Sequence, residues 1–205
     1  MTRQSITLAF IAALAAAAAG CGVTEQGRAP VVLRIDSLDA SSGAGSTSFS
    51  GYLNSDVQTI VKVNNVDVPT RFSDPGRVTL SLVLKDPGAP GVAQTPTELN
   101  TVTITHYRVV YRRTDGRNVQ GVDVPWAFDS GMTVSVGASS AVQQTFELVR
   151  VSAKFEAPLA ALTINGQALD MIADVTFYGK DMHNNDISAT GSIGISFANF
   201  GDSTS

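Results

Sequence analysis

Two stretches near the carboxyl end of the chain alternate between apolar and polar or small side chains. They cover residues 173–178 and residues 187–197. Successive side chains of a β-strand point to opposite faces, whereas an α-helix repeats every 3.6 residues, so this alternation is that of a strand with one buried face. The residues between the two stretches, 181–186, are rich in Asn and Asp, which tolerate turn geometry. The pattern predicts a β-hairpin whose apolar face, including Ile195, lies in a core.

The same alternation recurs along most of the chain. Residues 101–113 form another long candidate strand, in which the apolar positions change face and thereby predict a β-bulge near Thr105. Asn64 and Asn65 are predicted to turn one strand into the next. The remaining candidate strands cover residues 31–35, 47–53, 57–63, 66–72, 78–84, 119–124, 132–136 and 142–151. With a single helical turn at residues 157–162, the sequence predicts an all-β antiparallel sandwich of about ten short strands.

Two segments lack this alternation and are rich in Gly, Pro and Ser. Residues 86–98 predict a long exposed loop, and residues 41–46 a shorter one. No internal repeat is visible. We therefore expect one β-sandwich domain over residues 31–200, followed by a short tail at residues 201–205. A division near residue 95 into two small sandwiches is the alternative.

The first twenty residues have the layout of a secretory signal. Arg3 provides a positive charge, and the segment from Ile6 to Ala19 is apolar apart from Thr7. This segment is too short for a membrane-spanning helix, which needs about 20 residues. Residues 1–20 are therefore predicted to be a signal peptide rather than a permanent anchor.

The signal ends in Ala18-Ala19-Gly20-Cys21, which resembles the lipobox of bacterial lipoproteins. That resemblance implies cleavage before Cys21 and attachment of a diacylglycerol to its sulfur. The family usually has Leu where Ala18 stands, so ordinary cleavage that releases a soluble protein is the alternative. Gly22 differs from the Asp that the family associates with inner-membrane retention, which favours the outer membrane. Residues 21–30 then form the lipidated cysteine and a short tether.

Two segments of the predicted domain, residues 104–116 and 173–197, resemble central strands of fibronectin type III and related immunoglobulin-like modules. The resemblance implies an immunoglobulin-like arrangement of the sandwich. The Cys and Trp pattern of antibody domains is absent, since Cys21 is the only cysteine of the chain. The core must therefore supply the stability that a disulfide gives to many exported domains.

Composition and motifs exclude several functions. The net charge is −4 and only 16% of residues are charged, which leaves no basic surface for nucleic acid. Signature motifs of serine hydrolases, zinc proteases and P-loop enzymes are missing. We therefore expect no catalytic residues, no metal and no cofactor. The oxygen-rich turn at residues 181–186 lacks the spacing of an EF-hand, and calcium binding there is a minor alternative to an ordinary turn.

Two groups of residues are candidates for a binding surface. On the strand at residues 101–113, His106, Arg108 and Arg112 alternate with apolar positions and predict a basic row, suited to an acidic partner or to anionic headgroups. Trp126 and Tyr178 are candidates for an aromatic platform that stacks on a sugar.

These observations lead to one main functional hypothesis. The chain is expected to be a lipid-anchored protein of the cell envelope, with a non-catalytic sandwich that binds an envelope protein or has a structural role. A carbohydrate-binding module is the alternative, and a hydrolase or metal-dependent enzyme is a third, less favoured one.

Overall fold

The computed structural model describes residues 28–46, 48–86, 88–92, 94–138 and 140–200. This part of the chain is mostly β-strand. The strands are β1 (Val31–Ala40), β2 (Tyr52–Asp56), β3 (Thr59–Val63), β4 (Val66–Thr70), β5 (Asp74–Leu84), β6 (Val102–Arg112), β7 (Phe128–Val136), β8 (Val142–Val149), β9 (Leu169–Asp181) and β10 (Asp186–Ala198). One short helix, α1 (Leu159–Asn165), and two 3₁₀ turns, Glu98–Asn100 and Ser152–Phe155, lie between strands.

The strands form two sheets and a separate hairpin. One sheet has the order β1-β5-β8 and the other the order β2-β10-β9-β6-β7, while β3 pairs only with β4. In immunoglobulin sandwiches the strands A, B and E share one sheet, and C, C′, F and G share the other. The order β1-β5-β8 corresponds to A, B and E, and β10-β9-β6-β7 corresponds to G, F, C and C′, while β2 adds a strand beside β10. The predicted all-β sandwich of about ten strands is confirmed. One pair departs from the antiparallel rule, because β2 runs parallel to β10.

Three local predictions are confirmed. Strands β9 and β10 pair as an antiparallel hairpin along nearly their whole length. The register of β6 shifts between Ile104 and His106 against both of its neighbours, as expected for a bulge near Thr105. Asn64 and Asn65 both have positive φ, the left-handed geometry that a two-residue hairpin turn requires, and they join β3 to β4.

Two predicted strands are wrong. Residues 119–124 form a tight turn instead, because the amides of Val122 and Asp123 donate to the carbonyl of Val119 and Gly121 takes a positive φ. The predicted strand at residues 47–53 is displaced, since β2 begins only at Tyr52. In the first segment, Val124 is buried from the turn itself, whereas in the second, Leu53 is buried from β2.

The core lies between the two sheets and is rich in aromatic rings. Tyr107 contacts Phe128, Phe146 and Phe177 in edge-on or tilted arrangements, with ring centroids 5.1 to 6.3 Å apart. The Tyr107 hydroxyl donates to the carbonyl of Glu147, which satisfies its polar group inside the sandwich. Strands from both sides of residue 95 belong to each sheet, so that point of the chain does not separate two sandwiches.

The sandwich has two ends, which we call proximal and distal. The proximal end holds the start of β1 at Val31, the end of β5 and the β9–β10 turn. Val31 and Ile187 line one surface depression there, which places the start of β1 beside the start of β10. The distal end is opposite and holds the loop after β6, the segment between β8 and β9, and the β3–β4 hairpin. The segment that precedes β1 therefore joins the domain at its proximal end.

Candidate functional site

The predicted basic residues do lie together on the outer face of the five-stranded sheet. His106, Arg108 and Arg112 are exposed, while Tyr107 and Val109, which alternate with them, are buried. However, the Nη1 of Arg108 lies 3.0 Å from a carboxylate oxygen of Asp129 on β7. The Nε of Arg112 lies 2.6 Å from a carboxylate oxygen of Asp174 on β9.

These ion pairs correct the interpretation of the face as a basic row. Neighbouring strands place an acidic residue beside each arginine, so the positive charges are largely balanced within the sheet. Burial would raise the pKa of Asp174, but hydrogen bonds from Arg112 and Ser192 together hold it below its usual value. Beyond β6, Arg113 and Arg117 both bind Asp115. An acidic partner would have to displace these carboxylates before it met a positive surface.

The predicted aromatic platform is not assembled from Trp126 and Tyr178. The ring of Tyr178 stacks instead on His106, with centroids 4.7 Å apart and planes 8° from parallel. Trp126 precedes Phe128, whose pairing partner on β6 is Val109 rather than His106. Three residues of strand separate those positions, a rise of roughly 10 Å, so the two rings lie on different parts of the surface.

The oxygen-rich turn between β9 and β10 is closed by its own hydrogen bonds. Oδ1 of Asp181 accepts bonds from the amides of His183 and Asn185, each at 2.8 Å, and Oδ2 accepts one from the side chain of Asn185. Burial would raise the pKa of Asp181, but these bonds hold it below its usual value. Both oxygens of Asp181 are thus used within the turn. Among the described residues, no group of three or more His, Cys, Asp or Glu side chains is placed to hold a metal ion.

The loop after β6 is closed by its own hydrogen bonds and also carries exposed apolar side chains. The amide of Arg113 donates a 2.6 Å hydrogen bond to the side chain of Asn118. The amide of Val119 donates a 3.1 Å hydrogen bond to the side chain of Asp123. Val124 is fully buried and ties the loop to the core. In contrast, Val122 remains exposed to solvent.

Trp126 follows this turn and covers it. Its indole lies so close to Gly121 that a Cβ at that position would stand 2.7 Å from the ring, so a glycine is required there. Despite this contact, Trp126 as a whole is 53% exposed. A rigid turn therefore presents an aromatic ring to solvent.

Exposed apolar side chains are concentrated at this end of the domain. Of the sixteen large apolar residues that are exposed within the described part of the chain, ten are distal: Val63, Val66, Val68, Val119, Val122, Trp126, Val151, Phe155, Ile164 and Phe200. Ile164, on α1, is 91% exposed, and Phe155 is capped on one side by the guanidinium of Arg71, 4.2 Å from the ring centroid. Apolar side chains grouped in this way are typical of surfaces that contact another molecule.

A second unusual feature lies beneath these loops, inside the domain. Lys154 is only 1% exposed and Asp74 is fully buried. The Nζ of Lys154 lies 2.9 and 3.0 Å from the two carboxylate oxygens of Asp74, and 2.8 Å from the carbonyl of Asp56. Ser55, also fully buried, donates a 2.6 Å bond to Asp74 Oδ2, and the amide of Gly43 donates a 2.9 Å bond to Oδ1.

Sequence reasoning missed this cluster. Asp74 precedes Pro75 and Gly76 and has the neighbours of a surface turn residue, while Lys154 stands in a short segment without clear periodicity. Nothing in the spacing of residues that are eighty positions apart indicates that they meet. Burial raises the pKa of Asp74, although Lys154 and the hydrogen bonds from Gly43 and Ser55 oppose that rise.

Comparison with known proteins gives no relative from which a function could be transferred. No protein-family model matches the chain, and neither the curated proteins nor the solved structures contain a match to it. Within the described residues, no helix has the combination of length and apolar character that crossing a lipid bilayer requires. Cys21, the predicted lipidation site, lies outside the described residues.

Proposed function

We propose that this chain is a lipid-anchored protein of the cell envelope, whose sandwich has no catalytic role and presents its distal end to a protein partner. The observation that carries the proposal is the hydrogen-bonded distal loop after β6, with exposed Val122 and Trp126. Exposing apolar groups on a fixed backbone gives no benefit to the isolated domain, but it lowers the entropy lost on binding.

The position of the tether supports the same proposal. The segment before β1 joins the proximal end, so a lipid on Cys21 would hold that end toward the membrane. At most about 3.5 Å of reach per residue limits the nine residues from Gly22 to Pro30 to roughly 30 Å. The distal loops would then face away from the membrane, toward other components of the envelope.

The anchor is tested by replacing Cys21 with Ser. We expect the wild-type protein to incorporate a fatty-acid label and to sediment with membranes, and the Cys21→Ser variant to lose the label and to become soluble. An Ala18→Leu variant, which restores the usual lipobox residue, serves as the control and should be labelled at least as well as the wild type. Equal labelling of wild-type and Cys21→Ser protein would contradict lipidation.

The partner surface is tested by photo-crosslinking in native membranes. A photoreactive amino acid at Val122 should give a protein adduct, whereas the same group at Leu99, exposed at the proximal end, should not. Excess soluble Cys21→Ser protein should compete for the adduct. The same competitor carrying Val122→Ser and Trp126→Ala should not compete, and its circular dichroism should be that of the wild-type fold. Equal adducts from both positions, or equal competition by both competitors, would contradict the proposal.

A carbohydrate ligand is the second candidate, and the half-exposed ring of Trp126 favours it. A single aromatic face can stack on a sugar, and Tyr178 contributes no second ring at that position. The same variants separate the two candidates. Binding of the soluble protein to isolated envelope polysaccharide, lost on Trp126→Ala alone, would favour the sugar over the protein partner.

A further inference from the structure

Lys154 and Asp74 are the two most completely buried charged residues in the described part of the chain, and their reactive groups are in contact. The Nζ of Lys154 is almost equidistant from Oδ1 and Oδ2 of Asp74, at 3.0 and 2.9 Å. It therefore also lies beside Cγ, the carbon bonded to both oxygens. A primary amine is thus held against an acyl carbon in a site that water does not reach.

We propose that Lys154 and Asp74 condense within the folded domain to form an isopeptide bond between Nζ of Lys154 and Cγ of Asp74. Neither residue is part of the proposed partner surface, so this inference stands independently of the proposed function.

Two physical effects favour condensation over a lasting ion pair at this site. A buried ion pair keeps a desolvation cost that its Coulombic attraction only partly offsets, whereas an amide carries no charge. Holding two reactants in contact and in the right orientation raises their effective concentration, which reaches about 10⁵–10⁸ M in the best-oriented intramolecular reactions. Water, which is both the product of condensation and the reagent of hydrolysis, is excluded from the site.

The neighbouring groups suit each step of the reaction. Transfer of one proton from the Lys154 ammonium to Oδ2 of Asp74 gives a neutral amine and a neutral carboxyl, and burial, which raises the pKa of Asp74, assists this transfer. The amine then attacks Cγ, and charge that develops on Oδ1 is stabilised by the Gly43 amide, 2.9 Å away. A second proton passes from Nζ to Oδ2, with the Ser55 hydroxyl at 2.6 Å as a relay.

The step balances without any other reagent. The C–Oδ2 bond breaks, the C–N bond forms, and Oδ2 leaves as water with two of the three ammonium protons. The remaining N–H keeps its bond to the carbonyl of Asp56. Oδ1 becomes the amide oxygen and remains bonded to Gly43, whose lack of a side chain is required because a Cβ would stand 1.8 Å from the carbonyl oxygen of Ser73.

Such a bond would fix the distal end of the domain. It would join the 3₁₀ turn at Ser152–Phe155 to the first residue of β5, across eighty positions of sequence. The distal segment between β8 and β9, which carries Phe155 and α1, would then be covalently tied to the sandwich.

The test is tryptic peptide mapping of the full-length wild-type protein by mass spectrometry under denaturing conditions. Trypsin cuts after Arg71, Arg77 and Arg150 but not after an acylated lysine. We expect a branched peptide in which residues 72–77 are joined to residues 151–180, lighter than the sum of the two by one water. Free peptides 72–77 and 151–154 from protein that has been incubated in its folded state, with no branched product, would overturn the proposal.

The chain provides its own control. Lys180 and Asp186 form an ion pair with the same 2.9 Å separation, but both side chains are about half exposed. If burial drives the reaction, trypsin should cut after Lys180 in every molecule. In a Lys154→Met variant, peptide 72–77 should be released free whether or not that variant folds. A branched product that persists in this variant would place the bond elsewhere and would also overturn the assignment.

Discussion

Replacement of Ile195 by Asp is expected to leave the domain unfolded at neutral pH. Ile195 is fully buried in β10, where it pairs with Met171 of β9 and Leu53 of β2. An unpaired carboxylate in such a place costs several kcal/mol, in addition to the lost apolar burial. Domains of this size are stable by only about 5–15 kcal/mol. Circular dichroism and tryptophan fluorescence should show no cooperative thermal transition.

Thr190→Asp is the matched control for this prediction. Thr190 lies on the same strand but on the exposed outer face, where its hydroxyl forms a hydrogen bond with that of Thr176. Ser196, on the same face of the strand, is a poorer site for a carboxylate, because it pairs with Asp170 and the two charges would repel. The control should melt within a few degrees of the wild type. Similar melting temperatures for both variants would mean that the buried and exposed faces of β10 are assigned wrongly.

Replacement of Lys154 by Met is expected to lower the free energy of unfolding by about 3–5 kcal/mol at pH 7. Met fills a similar volume, but it leaves the buried carboxylate of Asp74 without its cation, and breaking a buried pair in this way is strongly destabilising. Loss of the proposed isopeptide bond would add to the effect. Urea unfolding of both proteins, followed by fluorescence, measures the difference.

The loss of stability in Lys154→Met should depend on pH. Burial raises the pKa of Asp74, and Lys154 is the strongest of the groups that oppose this, so its removal raises that pKa further. A carboxyl whose pKa is higher in the folded state than in the unfolded state adds to the stability of the fold. This added stability is complete below the unfolded pKa of about 3.9 and is lost as pH rises through the folded pKa. The deficit of Lys154→Met relative to wild type should therefore be smaller near pH 4 and grow toward pH 7.

Lys180→Met provides the comparison for an exposed pair. Lys180 and Asp186 lie at the same separation as Lys154 and Asp74, but solvent screens them, and such pairs contribute at most about 1 kcal/mol. The role assigned to the buried pair would be contradicted if Lys154→Met lost no more stability than Lys180→Met. It would also be contradicted if the loss of stability in Lys154→Met became smaller as pH rises from 4 to 7.

Much of the fold is encoded in local patterns that can be recognised without the structure. Period-two alternation predicted the β9–β10 hairpin, the change of phase predicted the bulge at Thr105, and paired asparagines predicted the β3–β4 turn. Each depends on residues that are close in sequence, because strand alternation and turn geometry are properties of a few consecutive backbone angles. The class of fold followed from the number and spacing of such elements.

The wrong predictions arose where one local sequence pattern fits two different structures. Residues 119–124 have valines spaced as in a strand, yet hydrogen bonds to Val119 and the positive φ of Gly121 stabilise a turn. Similarly, Arg108 and Arg112 form a basic row along β6, but strand pairing sets Asp129 and Asp174 beside them. The charge of a sheet face is a property of several strands, so one strand cannot reveal it.

The two features of greatest interest were decided by tertiary structure alone. The distal grouping of exposed apolar residues depends on which loops share one end of the sandwich, and that follows from the order of strands in two sheets. The contact between Lys154 and Asp74 requires that a turn after β8 fold back onto the start of β5 and the end of β2. Sequence determined which segments become strands and which of their faces are buried. Only the packing of the sheets decided which distant side chains share a site without water, because burial and contact between distant residues are set by the whole chain.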